Sequence, residues 1–126
     1  QLEGTEGVFT GQNMIGADGQ EYSVPPNYAS KSKLVEGDLM NLRTAPDGRR
    51  VFKQIQMIER VRVAGRLCFD DAARHWYAES EGRQYKILSA SVTFYHAREG
   101  DTAYFLIPKS GESVWGAMDG VSPNVL

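Results

Sequence analysis

The sequence predicts an all-β chain with at most one short helix in each of two repeats, the repeats forming a duplicated β-barrel with pseudo-two-fold symmetry. Three observations carry that expectation. Thirteen Gly and five Pro among 126 residues, with six Tyr, five Phe and two Trp, suit short strands and tight turns better than a helical bundle. Sliding the chain along itself by half its length brings like residues together. Gly19 meets Gly82, Tyr22 meets Tyr85, Glu36-Gly37-Asp38 meets Glu99-Gly100-Asp101, Gly48 meets Gly111 and Val51 meets Val114, as in an internal repeat. Asp18/Glu81, Val24/Ile87 and Phe52/Trp115 are conservative partners under the same shift. Finally, apolar and polar residues alternate from Val51 to Leu67 with the period of a strand.

In chain order, Gly7 to Ile15 reads as a strand and Ala17-Asp18-Gly19 as the hairpin turn after it. Gln20 to Val24 returns until Pro25-Pro26, which lack N–H groups, end the ladder. Asn27 to Leu34 reads as one or two helical turns, with Asn27 as N-cap, Tyr28, Ala29 and Leu34 inward and Lys31 and Lys33 outward. Val35 to Asp38 turns, and Leu39 to Thr44 is a strand. In the next turn, Pro46-Asp47-Gly48, Pro presets φ, Asp bonds the backbone ahead of it and Gly takes positive φ.

The stretch from Val51 to Leu67 is longer than the five or six residues of an ordinary strand, so two strands joined near Ile58-Glu59, or one bent by a bulge, are expected. In the second half Trp76-Tyr77 lies on a strand, Glu81-Gly82 turns and Gln84 to Leu88 returns. Ser89 to Ala97 takes the place of the helix, but Val92-Thr93-Phe94-Tyr95 is β-branched and aromatic and prefers an extended form. The repeats are therefore expected to differ at this segment. Thr102 to Pro108 is the strongest strand, Ser110-Gly111-Glu112 turns into Val114 to Met118, and residues 122–126 form a tail. Matching Gly7-Val8-Phe9 to Gly65-Arg66-Leu67 needs about five extra residues in the second copy, assigned to Asp70 through Arg74. The repeats then span about residues 7–62 and 63–121 of one compact domain.

Two copies of strand, turn, strand, short helix or loop, Gly-Asp, strand resemble the cradle-loop β-barrels, which include double-psi barrels, RIFT barrels and AbrB-like proteins. In those barrels a so-called GD box follows the short helix and starts the next strand. The matching positions are Gly37-Asp38 and Gly100-Asp101, behind the Val24 and Ile87 strands. The resemblance implies that each Gly permits a close approach of strands. Each Asp then bonds backbone N–H groups of a neighbouring segment, so that Asp38 and Asp101 hold the architecture. A tandem of OB-like or SH3-like small barrels is the competing architecture. The chain also looks like bacterial domains of unknown function that accompany transcription or translation machinery.

With 41% hydrophobic and 24% charged residues, collagen, a coiled coil and full disorder are excluded. The single cysteine, Cys68, makes no internal disulfide and excludes a zinc finger, so either a reducing compartment or indifference to redox state fits, and the setting expected is cytoplasmic. No apolar run approaches the ~20 residues that a membrane span needs, and no membrane partner is expected. The chain opens on Gln1 rather than Met, which fits a domain cut from a longer protein.

Charge is uneven within the total of −2. Nine basic residues from Lys31 to Arg66 stand against Glu36, Asp38, Asp47 and Glu59, giving that segment +5 and the rest −7. Arg60, Arg62 and Arg66 share one strand parity, with the amides of Gln54 and Gln56 beside them. Together with Lys31, Lys33, Arg49 and Arg50 they form the candidate binding set, a row of positive charge suited to phosphate contacts or to an acidic protein. A solvated strand face guarded against edge pairing is the plainer explanation.

His75-Trp76-Tyr77 and Phe94-Tyr95-His96 place histidine among aromatic residues. They read either as core and cross-strand pairs or as a base-stacking platform. No catalytic motif, metal-ligand spacing or cofactor loop is present, so catalytic, metal and cofactor residues are all expected to be none. The function expected is a non-catalytic binding module that docks a protein or ribonucleoprotein partner. The alternatives are a nucleic-acid-binding barrel that uses the basic face, and a small enzyme or ligand-binding barrel with a groove between the repeats near His96 and Glu99.

Overall fold

Alternation of interior and solvent-facing side chains sets ten strands, which the computed structural model, describing residues 4–125, arranges around two short helices. The first half runs β1 (Thr5–Phe9), β2 (Asn13–Gly16), β3 (Glu21–Ser23), α1 (Pro26–Ser32), β4 (Leu39–Thr44) and β5 (Arg50–Gln56). The second runs β6 (Arg60–Asp70), β7 (His75–Ser80), β8 (Arg83–Ile87), α2 (Ser89–Phe94), β9 (Thr102–Pro108) and β10 (Ala117–Ser122). Each half builds its own five-stranded antiparallel sheet. The orders are β3-β2-β1-β4-β5 and β8-β7-β6-β9-β10, the same order twice.

The duplication extends to single hydrogen bonds. Phe9 N–H donates to Asp38 O at 2.8 Å and Leu67 N–H to Asp101 O at 2.8 Å, while Gly37 and Gly100 N–H return to Phe9 O and Leu67 O, both at 2.7 Å. Each helix ends the same way. Lys33 and His96 take left-handed φ values of 51° and 53°, and the next N–H, of Leu34 or Ala97, reaches back to Ala29 O or Val92 O. This six-to-one bond satisfies a carbonyl that the helix end leaves open.

Each sheet encloses a core of its own. Phe9, Met14, Val24, Ala29, Leu34, Met40 and Leu42 form the first, and Leu67, Ala78, Tyr85, Ile87, Val92, Ala103, Phe105, Ile107 and Met118 form the second. The helices meet between them, with Ser30 and Ser91 hydroxyls 3.2 Å apart. Glu36 Oε1 accepts from the N–H groups of Val114 (3.0 Å) and Trp115 (3.1 Å), tying the first half to the β9–β10 connection.

Several expectations need correction. Gly7 to Ile15 is two strands, because the chain reverses at Thr10-Gly11-Gln12, where Gly11 has φ +107°. Helix α1 begins with Pro26 at its first position, where a missing N–H is harmless, and Asn27 is not its cap. Ser89–Phe94 is helical despite its β-branched residues. Burial of Val92 and packing of Tyr95 and Ala97 against the second core outweigh a propensity difference of well under ~1 kcal/mol per residue.

The extra residues of the second copy are not a separate insertion. They lengthen the β6–β7 hairpin by the pairs Cys68↔Tyr77, Phe69↔Trp76 and Asp70↔His75. Val51/Val114 and Phe52/Trp115 are not equivalent either, since Leu42 faces Phe52 where Phe105 faces Met118. The expected break near Ile58-Glu59 is present between β5 and β6. Within β5, however, Phe52 rather than Val51 packs on the core, so the single parity from Val51 to Leu67 does not hold. The expected tail is engaged at Asn124, whose N–H donates to Asp101 Oδ1 at 2.9 Å. Among the described residues, no helix is long and apolar enough to cross a membrane.

Candidate nucleic-acid interface

The basic segment does not form one surface. Arg60 turns inward and pairs with Asp38, its side chain only 13% exposed, and Gln54 donates to the same carboxylate at 2.8 Å. Asp38 also accepts from Val35 N–H (2.9 Å) and Ile58 N–H (3.0 Å), clipping the connector between the repeats to the first Gly-Asp corner. Arg62 bonds Asp119 at 3.0 Å and lies 4.4 Å from the Tyr104 ring centroid. Arg66 bonds Glu79 at 3.1 Å, and that hydrogen bond, chiefly, holds the Arg66 pKa above its ordinary value.

In the first half, Arg49 pairs with Asp47 at 3.1 Å and Arg50 lies over the Tyr22 ring at 5.5 Å. Lys31 sits in the last turn of α1 and Lys33 at its left-handed end, both exposed, and Gln56 is exposed at the end of β5. The predicted set is therefore spread over two sheets, with Gln54 and Arg60 withdrawn from solvent by Asp38.

A different cluster forms on the outside of the second sheet. Side chains alternate across a strand, and in β7 the buried Ala78 faces the core, so His75, Tyr77 and Glu79 share the outer face. Tyr85 and Ile87 of β8 are buried, which leaves Gln84 and Lys86 outward. The register lays Cys68, Tyr77 and Lys86 side by side across β6, β7 and β8. The row continues into the β9–β10 connection. Lys86 N–H donates to Val114 O at 2.8 Å and Gly116 N–H to Lys86 O at 2.9 Å, a parallel bridge that pairs Lys86 with Trp115 and joins the two edges of the sheet. The Lys86 ammonium stands 5.7 Å from the Trp115 ring centroid.

The result is a cross-strand row of aromatic, cation and aromatic. His75 extends it along β7, its ring 6.2 Å from that of Tyr77. The hydrogen bond to Cys68, first, and then the charge interaction with it hold the Tyr77 hydroxyl pKa above its ordinary value. The phenol is thus neutral at physiological pH. Hairpin loops border the face at both ends, and in one of them Arg74 lies over Phe69 at 5.7 Å.

Lys86 and Trp115 escape sequence reasoning. They sit 29 positions apart, and the ungapped half-length alignment assigns Trp115 the part of Phe52. Their pairing follows only from the longer β9–β10 connection of the second repeat. The groove expected between the repeats is nearly closed, a cleft of about 10 Å³ lined by Ser30, Ser91 and Trp115 among others. Tyr85 lies in the second core and Tyr22 packs against the first. Among the described residues no three His, Cys, Asp or Glu side chains come together as a metal site. Comparison with known proteins adds no relative: no family model matches the chain, and no curated protein is significantly similar to it.

Proposed function

We propose that the chain is a non-catalytic binding module that takes single-stranded nucleic acid across the outer face of its second sheet, as one component of a ribonucleoprotein. The observation that carries this reading is the row Tyr77–Lys86–Trp115, with His75 beside it. Rings stack on bases of any sequence while a cation between them meets the backbone. Position supports it as well. The helix lies between the third and fourth strands of each half, and each half has a complete sheet of its own, which favours the competing tandem OB-like architecture over the cradle-loop barrel. In such barrels ligands lie on the second and third strands between the first and last hairpin loops. Tyr77, Lys86 and Trp115 occupy β7, β8 and the β9–β10 connection. A single cysteine packed beside Tyr77 suits a reducing compartment such as the cytoplasm.

Fluorescence anisotropy with short labelled single-stranded RNA and DNA tests the proposal. Tyr77→Ala is expected to weaken binding by about 5- to 100-fold, the equivalent of one stacked base. Lys86→Ala is expected to weaken it and to lower the salt slope by about one. Arg43→Ala, on the first sheet, is expected to leave both unchanged. No binding of either polymer at low salt removes the nucleic-acid reading.

A further inference from the structure

We propose that the outer face of the first sheet is where two copies of this chain meet. This rests on different residues from the nucleic-acid reading and stands apart from it. On that face the register sets Ile15, Val8 and Leu39 side by side. Ile55 joins them, and together they line an open, mostly apolar trough of about 360 Å³. Val8 and Ile15 remain 43% and 41% exposed.

The second repeat serves as an internal control. Where Val8 pairs with Ile15 and Leu39, Arg66 pairs with Glu79 and Thr102, and Arg66 and Glu79 are joined as an ion pair at 3.1 Å. The fold therefore accepts charged side chains at these positions. An apolar row kept in water on one repeat alone calls for a cover.

Charge identifies the cover as a second copy. The next row across the same face runs Glu6, Asn41, Lys53 on β1, β4 and β5. Glu6 and Lys53 are exposed, and neither has an ionic partner among the described residues. They lie two strand spacings apart, ~10 Å, and do not pair with each other. Consider a two-fold axis between facing sheets, parallel to the strands and running along β4. It sets Glu6 of one copy over Lys53 of the other twice, Leu39 over Leu39, and Val8 over Ile55. The surface is self-complementary, as an isologous contact requires. Its contacting side chains, Glu6, Val8, Ile15, Leu39, Lys53 and Ile55, are far fewer than the ~20–30 residues per partner of a standard interface, so the dimer is weak and its population depends on concentration.

Sedimentation velocity of the full chain from micromolar to near-millimolar concentration reads this directly. A reversible monomer–dimer equilibrium is expected. Val8→Asp is expected to leave only monomer, and Glu6→Lys or Lys53→Glu alone to weaken dimerisation on the order of tenfold or more. The double exchange Glu6→Lys with Lys53→Glu is expected to restore it to within a few-fold, a rescue that loss of folding does not imitate. A wild-type monomer throughout the range overturns the proposal and leaves the trough to another protein. A dimer indifferent to Val8→Asp and to both charge reversals overturns it too, since the contact then lies elsewhere.

Discussion

A carboxylate without access to water needs donors around it, and the two Gly-Asp corners meet that need unequally. Asp38 is fully buried and receives two backbone N–H groups, the Gln54 amide and the Arg60 guanidinium. Asp101, 8% exposed, receives the N–H groups of Arg98 at 2.8 Å and Asn124 at 2.9 Å. Both hold the segment that follows the last strand of their repeat, Ile58 at the first corner and Asn124 at the second. Asp38→Ala strands a buried cation as well as two N–H groups and is expected to cost about 3–5 kcal/mol. Asp101→Ala leaves only backbone donors unmet and is expected to cost about 1–3 kcal/mol. Urea denaturation of the two variants gives both numbers. Equal losses would mean that Arg60 contributes nothing at the first corner.

At the scale of elements, local signals suffice where turn residues bracket a strand and fail where a helix has to be placed, as with Asn27, which is not the cap of α1. The strands Leu39–Thr44 and Thr102–Pro108 have the expected bounds, because turn residues with fixed backbone demands enclose each. Three features depend on partners distant in the chain. The turn at Gly11 is hidden in an apparently continuous strand, α2 depends on the core beneath Val92, and the inward turn of Arg60 depends on Asp38. The candidate site is the extreme case. His75 and Tyr77 stand out in the sequence and the β7–β8 hairpin sets Lys86 beside Tyr77, whereas Trp115 joins them only when the β9–β10 connection reaches β8.

Gly11 takes part in that arrangement from the other repeat. A Cβ there would collide with the Trp115 ring, and its backbone has φ +107°; Gly48, φ +87°, has open space around it. Gly48→Ala is therefore expected to cost only the left-handed strain of about 1–2 kcal/mol. Gly11→Ala adds overpacking of about 1–3 kcal/mol and moves the tryptophan. Stability together with Trp emission separates the cases. An unshifted emission spectrum in Gly11→Ala would show that Trp115 does not rest on this turn.

For the whole molecule, two cores with few shared side chains raise the question of whether the halves unfold together. The links between them are specific. Leu88, which precedes α2, packs against the first core, Glu36 holds the β9–β10 connection, the Ser30 and Ser91 hydroxyls meet, and Asp38 clips the connector. Leu88 is the one of these that buries apolar surface across the boundary, and its truncation is expected to cost about 2–4 kcal/mol. Both tryptophans, Trp76 and Trp115, belong to the second half, so their emission reports on that half while circular dichroism reports on both. Coincident denaturation curves are expected for the wild type, as in a two-state unit. In Leu88→Ala combined with Glu36→Ala the first repeat loses its cover, and the dichroism curve is expected to begin falling at lower denaturant than the fluorescence curve. Curves that stay superimposed in the double variant would place the coupling elsewhere, in the Asp38 clip and the helix contact, and Asp38→Ala would then be the variant that splits them.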